Sequence, residues 1–398
     1  MDITITPSGL SGSVKAIASK SQAHRLLICA AFADNPTELL CSQTNRDMDA
    51  TADCLIALGA KIIRTSSGYQ VTPLLQIPKT AQLRCHDSGS TLRFLLPVAG
   101  ALGVDATFVL EGRLPQRPLS PLWEEMERMG CRLSRPSPKT IRCQGRLRAG
   151  DYVIDGGVSS QFITGLLLAA TRMSGVSQLH LTGKVESRPY IAMTQEAMAL
   201  FGCYSQEYHI TGGVPFHSPG RVQVEGDWSN AAFFLAAQAL GNDVTVQNLN
   251  IRSAQGDRTV QQLLPALKEN TVINAADIPD LVPILAVVAA CNQGAAFTGI
   301  RRLRLKESDR VASVIAMLTA LGGKAEAAED TLTVYGTGLT GGIVDSCNDH
   351  RIAMSAAIAA TVCKQPVTIL GAECVEKSYP QFFDEYRRLG GSYEQYLR

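Results

Sequence analysis

Apolar and polar positions follow one another along the chain in a pattern that predicts paired helices. One set of apolar segments ends in Gly or Asn, the residues that suit the left-handed conformation closing a helix. These stops are Gly59, Gly130, Gly202, Asn270, Gly322 and Gly390. A second set opens with Ser, Asp or Asn, which cap helix N-termini, and Pro279 suits a first helical turn. These openings lie at residues 19–21, 87–90, 158–161, 227–230, 277–280 and 348–351.

Short segments with strand character separate the predicted helices. They lie at residues 106–110, 178–181, 243–246, 331–335 and 366–370. The pattern therefore predicts a unit of helix, strand, helix and one or two strands, repeated six times. Dividing 398 residues by six gives about 66 residues for each unit. A solenoid of stacked units is the plain alternative, but this unit is long for a solenoid and its helix openings carry specific polar residues.

Length and composition add limits to this picture. A chain of 398 residues exceeds what one core usually supports, so two domains or one large barrel are expected. The 37 Lys and Arg residues balance 36 Asp and Glu residues, which excludes a polybasic nucleic-acid binder. The longest apolar stretches, 281–291 and 233–240, are too short for a membrane span, and the start Met1–Thr4 does not resemble an export signal. A cytoplasmic protein is expected.

The cysteines do not suggest a metal centre or a disulfide framework. Their number, eleven, is odd, no C-x-x-C motif occurs, and no Cys/His group has zinc spacing. Most lie in apolar company, where a thiol behaves as a small buried hydrophobe. We therefore expect reduced cysteines and no metal.

Cationic residues cluster at the predicted helix openings. Helix N-termini attract anions because their N–H groups and dipole point outward. Lys20 and Arg25 flank the first opening, and Arg93 lies inside the second; further cations are Arg117, Arg188, Lys306, Arg310, Arg351 and Lys377. Each alone is typical of a solvated surface. Their recurrence beside caps, Gly or Pro predicts a site for phosphate and carboxylate groups.

Eight short motifs carry a resemblance to a known family. They are Ala-Ser-Lys-Ser-Gln-Ala-His-Arg at 18–25, Asp-Ser-Gly-Ser-Thr-Leu-Arg at 87–93, Ser-Ser-Gln-Phe at 159–162, Ser-Arg-Pro-Tyr at 187–190, Asp-Ile-Pro-Asp at 277–280, Lys-Glu-Ser-Asp-Arg at 306–310, Asn-Asp-His-Arg at 348–351 and Lys-Ser-Tyr-Pro at 377–380. In this order they resemble the EPSP synthases of the enolpyruvyl transferase family, over residues 3 to beyond 380.

The resemblance implies a fold and a domain organisation. The expected fold is α/β, an inside-out α/β barrel of two globular domains, each built from three βαβαββ repeats. Residues 14–224 would form the domain on the shikimate 3-phosphate side. Residues 1–13 and 225–398 would form the other, with the active site in the cleft between them.

The resemblance also implies an activity. Enolpyruvyl would pass from phosphoenolpyruvate to the 5-hydroxyl of shikimate 3-phosphate, with release of phosphate, as a step of the shikimate pathway to aromatic amino acids. These two small molecules would be the partners of a monomer that needs no cofactor and binds neither nucleic acid nor membrane. Gly89 resembles the glyphosate-sensitive form of the family.

The matching positions define the implied substrate contacts. Shikimate 3-phosphate would contact Lys20, Ser21, Arg25, Ser159, Ser160, Gln161, Ser187, Tyr190, Asp280 and Lys306. Phosphoenolpyruvate would contact Lys20, Gly89, Arg117, Gln161, Arg310, Arg351 and Lys377.

Three residues are the implied proton carriers. Asp280 would be the base for the 5-hydroxyl with help from Lys306, and Glu307 would transfer a proton at the methylene carbon, with Lys20 also taking part. The alternative for Glu307 and Asp309 is an internal ion pair with Lys306 or Arg310. His350 suits an orienting or capping role as well as a catalytic one, since a helix N-terminus disfavours imidazolium.

Two rival functions differ in what they require. The related transferase acting on UDP-N-acetylglucosamine usually has a reactive Cys in a mobile loop and Lys-Asn at the first opening. Here loop 111–118 has no Cys and the opening is Lys20-Ser21. A non-catalytic anion-binding repeat protein would not need Asp280, Glu307 and Lys377 together. Three positions depart from the family: Asp87 stands where Asn is frequent, Phe94 where Pro is frequent, and Arg302 where Asn or Glu is common. No contact is assigned to Arg302.

Overall fold

The computed structural model describes residues 1–41 and 43–396, which form two compact units. The central unit is Ala18–Glu225, and the terminal unit joins Met1–Ile17 to the chain from Gly226 onward. The sequence predicts one domain of residues 14–224 and a second domain of residues 1–13 and 225–398. The first boundary falls at residue 17 because a strand at Ser11–Lys15 pairs in parallel with Asp243–Gln247 of the terminal unit.

The helices begin and end close to the predicted openings and stops. The α-helices of the described residues are α1 Lys20–Ala31, α2 Arg46–Ala57, α3 Gly89–Leu102, α4 Leu122–Arg128, α5 Ser160–Ala170, α6 Arg188–Leu200, α7 Trp228–Ala239, α8 Val260–Ala266, α9 Val282–Cys291, α10 Arg310–Ala320, α11 His350–Ala359 and α12 Phe382–Arg388. Short 3-10 helices lie at Leu114–Gln116, Gly256–Thr259, Arg301–Leu305 and Ala372–Lys377.

The strands are short and lie between these helices. They are β1 Asp2–Thr6, β2 Ser11–Lys15, β3 Thr37–Leu40, β4 Lys61–Thr65, β5 Gly68–Thr72, β6 Thr80–His86, β7 Asp105–Leu110, β8 Cys131–Ser137, β9 Thr140–Gly145, β10 Asp151–Asp155, β11 Val176–Thr182, β12 His209–Thr211, β13 Arg221–Gln223, β14 Asp243–Gln247, β15 Thr271–Asn274, β16 Ala295–Thr298, β17 Lys324–Ala327, β18 Thr331–Tyr335, β19 Gly342–Asp345, β20 Val367–Leu370 and β21 Ser392–Tyr396.

These strands form six sheets in the described chain, three in each unit. The central unit has the orders β13-β3-β5-β4, β6-β7-β9-β8 and β10-β11-β12; the terminal unit has β19-β20-β1-β21, β14-β2 and β15-β16-β18-β17. Each sheet contains one parallel pair. Four pairs, such as β6 with β7, are joined through a single helix, whereas β3 with β13 and β2 with β14 pair strands far apart in the chain. The longer sheets then continue antiparallel, such as β7 with β9 and β9 with β8. The six predicted repeats and the α/β class are confirmed.

Two details of the predicted helices are wrong. The stop at Asn270 is misplaced, because α8 already ends at Ala266. Pro279 is not in a first helical turn, since α9 begins at Val282 with Pro283 in that turn. The other five stops are glycines with positive φ, as expected of residues that close a helix.

The two helices of a repeat differ in burial. In α5 every residue except Gln161 is buried, and in α11 every residue is buried, so these first helices form the interior of their units. Second helices such as α4 and α12 keep a solvent-facing side, as amphipathic helices on a sheet do. Helices α3 and α5 approach closely at Gly165, where a Cβ would lie 2.2 Å from the Arg93 carbonyl oxygen. That approach sets the N-terminal ends of α3 and α5 side by side.

The eleven cysteines all lie among the described residues and are free thiols. Nine are buried, Cys291 is half-buried and Cys347 is exposed. No described helix has the length and apolar character to cross a membrane.

Candidate active site

The first helix of the central unit presents Lys20 to a buried carboxylate. Ser19 caps α1 by accepting a bond from the Gln22 N–H, which leaves Lys20 in the first turn. The Lys20 Nζ lies 2.9 Å from Asp47 Oδ2, in the first turn of α2. Their side chains are 14% and 6% exposed, so the ion pair is mostly shielded from water. The pair orients the Lys20 ammonium at the N-terminal ends of α1 and α2.

Arg25 lies one turn further into α1 and is 2% exposed. Its Nε donates to the Thr194 hydroxyl at 2.8 Å, and its Nη2 donates to the Thr164 hydroxyl at 3.3 Å and the Tyr190 carbonyl at 2.9 Å. Its Nη1 donates to the Ser21 carbonyl at 2.5 Å. Burial lowers the pKa of Arg25 to about 10. The guanidinium therefore joins α1 to α5 and α6, and a two-pronged contact to a substrate carboxylate would require one of these bonds to break.

The opening of α5 carries the predicted Ser-Ser-Gln set. The Ser159 hydroxyl accepts from the Gln161 N–H at 3.3 Å and caps the helix, while Ser160 is its buried first residue. Gln161 accepts from Arg93 Nη1 at 2.7 Å and donates to the Ser90 hydroxyl at 2.9 Å. These bonds hold Gln161 between α5 and α3.

Gly89 begins α3, after the Ser88 cap. A Cβ placed on Gly89 would lie 2.6 Å from Arg117 Nη1 and 3.2 Å from Arg93 Nη1. The absence of a side chain at this position is therefore what lets the Arg117 guanidinium approach the N-terminus of α3.

The remaining residues of the central unit lie before and within α6. Ser187 is buried and has a φ of 56°, a left-handed conformation that costs a non-glycine residue about 1 kcal/mol or more. Ser21 and Tyr190, both half-buried, are joined through Arg25, which donates to each carbonyl. The structure thus connects α1 to α2, α3 to α5, and α1 to α5 and α6 at the predicted residues.

In the terminal unit, three cations surround Asp280. Because α9 begins at Val282 with no side-chain cap, the Asp280 carboxylate is not used as a helix cap. It accepts from Arg310 Nη1 at 2.8 Å and Arg351 Nη2 at 3.0 Å, and Lys306 Nζ lies 3.6 Å away. These cations hold the pKa of Asp280 well below its usual range, against the opposing effect of burial.

Arg310 is 1% exposed and binds three carboxylates. Besides Asp280, its Nη2 donates to Glu307 at 2.7 Å and its Nε donates to Asp349 at 3.0 Å. The internal ion pair considered for Glu307 is therefore present. Asp309 caps α10 and lies 3.5 Å from Arg304.

Lys306 has the pKa best matched to proton transfer near neutrality. Burial lowers its pKa to about 8, with Asp280 opposing and the charges of Arg310 and Arg302 adding to the decrease. Arg302 lies in the same 3-10 helix, Arg301–Leu305, that precedes Lys306. The sequence assigned no contact to Arg302; in the structure its positive charge helps to lower the pKa of Lys306.

Lys377 and His350 are both buried at the ends of their elements. Lys377 closes the 3-10 helix Ala372–Lys377, and the neighbouring Ser378 hydroxyl lies 3.4 Å from Asn230 of α7. His350 is the first residue of α11, directly after the Asp349 cap. The openings of α7 and α11 are further joined by Arg351, whose Nη1 donates to the Ser229 carbonyl at 3.5 Å.

Three residues that the sequence did not assign take part in these contacts. Asp47 binds Lys20, Arg93 holds Gln161, and Asp349 binds Arg310. Asp47 had no distinctive signal, because acidic residues are common in a first helical turn. Arg93 and Asp349 lay inside quoted motifs, but only the fold shows what they contact.

Comparison with known proteins identifies the family. A model of the family described as EPSP synthase (3-phosphoshikimate 1-carboxyvinyltransferase) matches residues 5–270 and 265–386. A protein of Clostridium kluyveri named 3-phosphoshikimate 1-carboxyvinyltransferase is 36% identical over 99% of this chain and 98% of its own length. A protein of the same name from Clostridium beijerinckii is 35% identical over 99% of both chains. A solved EPSP synthase of Acinetobacter baumannii, 23% identical, has the same fold with a TM-score of 0.80 over 99% of this chain and 100% of its own. With two such relatives over its full length, the chain belongs to the EPSP synthase family.

Proposed function

We propose that the two clusters of polar residues carry out the reaction of the EPSP synthase family. This is the transfer of the enolpyruvyl group of phosphoenolpyruvate to the 5-hydroxyl of shikimate 3-phosphate, with release of phosphate, in the shikimate pathway. The observation that carries the proposal is the convergence of Arg310, Arg351 and Lys306 on Asp280. It puts two anion-binding guanidinium groups beside a lysine that can move a proton and a carboxylate that orients this lysine.

In this proposal the helix N-termini of the central unit bind most of shikimate 3-phosphate. The phosphate is received by the Ser-Ser-Gln opening of α5, because the N-terminus of a helix favours anions. Further contacts come from Lys20, Ser21, Arg25, Ser187 and Tyr190, and Asp280 and Lys306 contact the reacting end. Supporting this, a substrate carrying about two negative charges on its phosphate and one on its carboxylate needs several cations.

Phosphoenolpyruvate is bound by the remaining cations. Arg117 lies against Gly89 and brings a planar fork for carboxylate or phosphate. Arg310 and Arg351 bring the same fork from the terminal unit, and Lys377 adds a point charge. Lys20 and Gln161 of the central unit complete the proposed set of contacts. Arg310 and Arg351 both donate hydrogen bonds to Asp280. When phosphoenolpyruvate binds, its anionic groups therefore replace some of these bonds.

The chemistry is an addition followed by an elimination. The 5-hydroxyl oxygen loses its proton and bonds to C2 of phosphoenolpyruvate, while the methylene carbon gains a proton. The C2–phosphate oxygen bond then breaks, phosphate leaves, and the methyl carbon returns a proton to give the enol ether. Lys306, with a pKa of about 8, suits the transfer at oxygen, whereas the low pKa of Asp280 suits orienting and stabilising that ammonium. Glu307, 2.7 Å from Arg310, is the carrier proposed at the methylene carbon, together with Lys20.

The proposal also states that the protein is a monomer and lies in the cytoplasm. The eleven free and mostly buried thiols are compatible with a reducing compartment. Sedimentation equilibrium of the purified chain tests the monomer, and a mass twice that of one chain would contradict it.

The test of the activity is phosphate release from phosphoenolpyruvate. We expect release only when shikimate 3-phosphate is present, and none when UDP-N-acetylglucosamine replaces it. Lack of release by freshly prepared, folded protein with both substrates would refute the proposed function.

A further inference from the structure

Asp257 is a buried carboxylate in the terminal unit that none of the eight motifs includes. It is 2% exposed and lies in the 3-10 helix Gly256–Thr259, directly before α8. Its Oδ2 accepts a hydrogen bond from the Ser229 hydroxyl in the first turn of α7. Its Oδ1 is buried and has no hydrogen-bond partner among the described residues. A buried carboxylate with one oxygen unsatisfied is costly, so its retention calls for a physical reason.

The segment carrying Asp257 holds the start of α7. Gln255 accepts from the Trp228 N–H at 3.0 Å and donates to the Gly226 carbonyl at 2.8 Å. Asp257, three residues before α8 begins at Val260, adds the bond to Ser229. Residues 255–257 therefore hold residues 226–229 through three bonds, two to the backbone and one to the Ser229 hydroxyl.

That backbone is one of the anchors of Arg351. The Arg351 Nη1 donates to the Ser229 carbonyl at 3.5 Å and the Asp280 carbonyl at 3.4 Å, while Nη2 donates to the Asp280 carboxylate at 3.0 Å. A displacement of Ser229 thus moves a group to which the guanidinium is bonded.

The charges facing Asp257 come from three other elements. Asp280 precedes α9, Arg351 lies in α11, and Asp227 caps α7. Burial, then the charge of Asp280, raises the pKa of Asp257 to about 7; Arg351 and the Ser229 hydroxyl act in the opposite direction, and Asp227 adds to the increase. Asp257 and Arg351 both bind Ser229, so a charge on the Asp257 carboxyl acts on the guanidinium at short range.

We propose that Asp257 is a positioning residue for Arg351, acting through Ser229 and through its own protonation state. The inference rests on the proposed function, in which Arg351 binds phosphoenolpyruvate. In its neutral form, Asp257 holds Ser229 and leaves the charge of Arg351 to the substrate. In its ionised form, it adds a negative charge beside Arg351 and weakens the binding of an anion.

Two variants of Asp257 test the contact. Asp257→Ala removes the partner of Ser229, and we expect the KM for phosphoenolpyruvate to rise about tenfold while kcat and the KM for shikimate 3-phosphate change less than about threefold. Asp257→Asn keeps the shape and the hydrogen bond in an uncharged group, so it should restore the wild-type KM at about pH 6. An Asn variant as impaired as the Ala variant, or equal changes in both KM values, would overturn the proposal.

The pH dependence tests the charge. We expect kcat/KM for phosphoenolpyruvate of Asp257→Asn, divided by that of the wild type, to rise about threefold or more between about pH 6 and about pH 8.5, because only the wild type gains the extra negative charge. The phosphate groups of the substrates also ionise near pH 6, but equally for both proteins, so the ratio cancels them. A ratio independent of pH would overturn the proposal.

A measurement without substrate separates this inference from the proposed function. Trp228 is fully buried at the start of α7 and reports unfolding of the terminal unit when Trp123 is replaced by Phe. In that background, Ser229→Ala, Asp257→Ala and their combination form a double-mutant cycle, and the two changes should be strongly non-additive. If the wild-type protein releases no phosphate, the proposed function is refuted and the contact between Asp257 and Ser229 is not. If the stability changes of the two variants are additive, that contact is refuted and the proposed function is not.

Discussion

Lys20 and Asp47 form the mostly buried ion pair at the start of α1 and α2. Replacing Lys20 with Met keeps the length of the side chain but removes the ammonium that the proposed chemistry uses. We expect Lys20→Met to lose about 100-fold or more of kcat while remaining folded. Phosphate release and circular dichroism measure the two effects. Lys15→Met, on the exposed side of β2, is the matched control and should retain activity; Lys20→Met within tenfold of wild type would contradict the role of Lys20.

At Gly89, the absence of a side chain is expected to affect ligand binding. In Gly89→Ala the new methyl group would lie 2.6 Å from Arg117 Nη1, so that guanidinium must shift. We expect a sensitive wild type, a glyphosate inhibition constant about tenfold higher in the variant, and a smaller increase in the KM for phosphoenolpyruvate. Gly9→Ala is the control, since its Cβ would meet nothing closer than 3.9 Å. Equal inhibition of wild type and Gly89→Ala would refute this prediction.

The protonation of Lys306 predicts how kcat/KM depends on pH. With a pKa of about 8, its neutral form becomes populated as the pH rises, so kcat/KM for shikimate 3-phosphate should increase up to about pH 8. Arg302→Asn removes a cation that lowers this pKa, so the rising limb should move to higher pH. Arg304→Asn removes a cation from the same 3-10 helix that pairs instead with Asp309, and it should leave the limb in place. Identical profiles for all three proteins would argue against Lys306 as the proton carrier.

At the scale of an element, Asp349 and Asp309 perform the same task in different surroundings. Each caps a helix, α11 and α10 respectively. Asp349 is fully buried and also accepts from Ser308 at 3.0 Å and Arg310 at 3.0 Å, whereas Asp309 is half-buried. A cap alone is worth about 1 kcal/mol, and removing one partner of a buried pair costs about 3 kcal/mol or more.

The comparison of these two caps gives a stability prediction. We expect Asp349→Ala to lower the free energy of unfolding of the terminal unit by about 3 kcal/mol, and Asp309→Ala by about 1 kcal/mol. Urea titration followed by Trp228 fluorescence in a Trp123→Phe chain measures both. Equal losses would mean that the bonds to Arg310 and Ser308 add nothing to the cap.

At the scale of the whole molecule, each unit carries its own hydrophobic core and one tryptophan. Trp123 lies in α4 of the central unit and Trp228 in α7 of the terminal unit. Eight of the ten proposed contacts to shikimate 3-phosphate belong to the central unit, the other two being Asp280 and Lys306. This ligand should therefore stabilise the central unit more than the terminal one.

Two single-tryptophan chains, Trp228→Phe and Trp123→Phe, measure that difference. At one hundred times its Kd, the ligand stabilises the unit that binds it by about 2.7 kcal/mol. We expect an increase near that size in the free energy of unfolding that urea titration reports through Trp123, and a smaller increase reported by Trp228. Inorganic phosphate at the same concentration is the control, and a larger shift at Trp228 would contradict the assignment of the contacts.

Much of the fold followed from local chemistry. The caps Ser19, Ser88, Ser159, Asp227 and Asp349 all lie within the predicted openings, because a side-chain acceptor before an apolar run is a local signal. The prediction failed at Pro279 and Asn270, because α9 begins only at Val282, with Pro283 in its first turn, and α8 ends early at Ala266. In both places, residues that suit a helix end also suit the neighbouring turn, and packing decides between them.

The sequence by itself determined the six repeats, the order of the motifs and which residue types stand at each helix opening. These depend on periodicity and capping, interactions between residues a few positions apart. Only the tertiary structure decided which distant polar groups meet: Asp47 with Lys20, Asp280 and Asp349 with Arg310, and Asp257 with Ser229. Lys20 and Asp47 are 27 positions apart in the chain, Asp280 and Arg310 are 30 apart, and Ser229 and Asp257 are 28 apart. Contacts over such separations depend on how the elements pack. The shifted pKa values of Lys306 and Asp257 have the same origin, since burial and nearby charge exist only once those helices have packed.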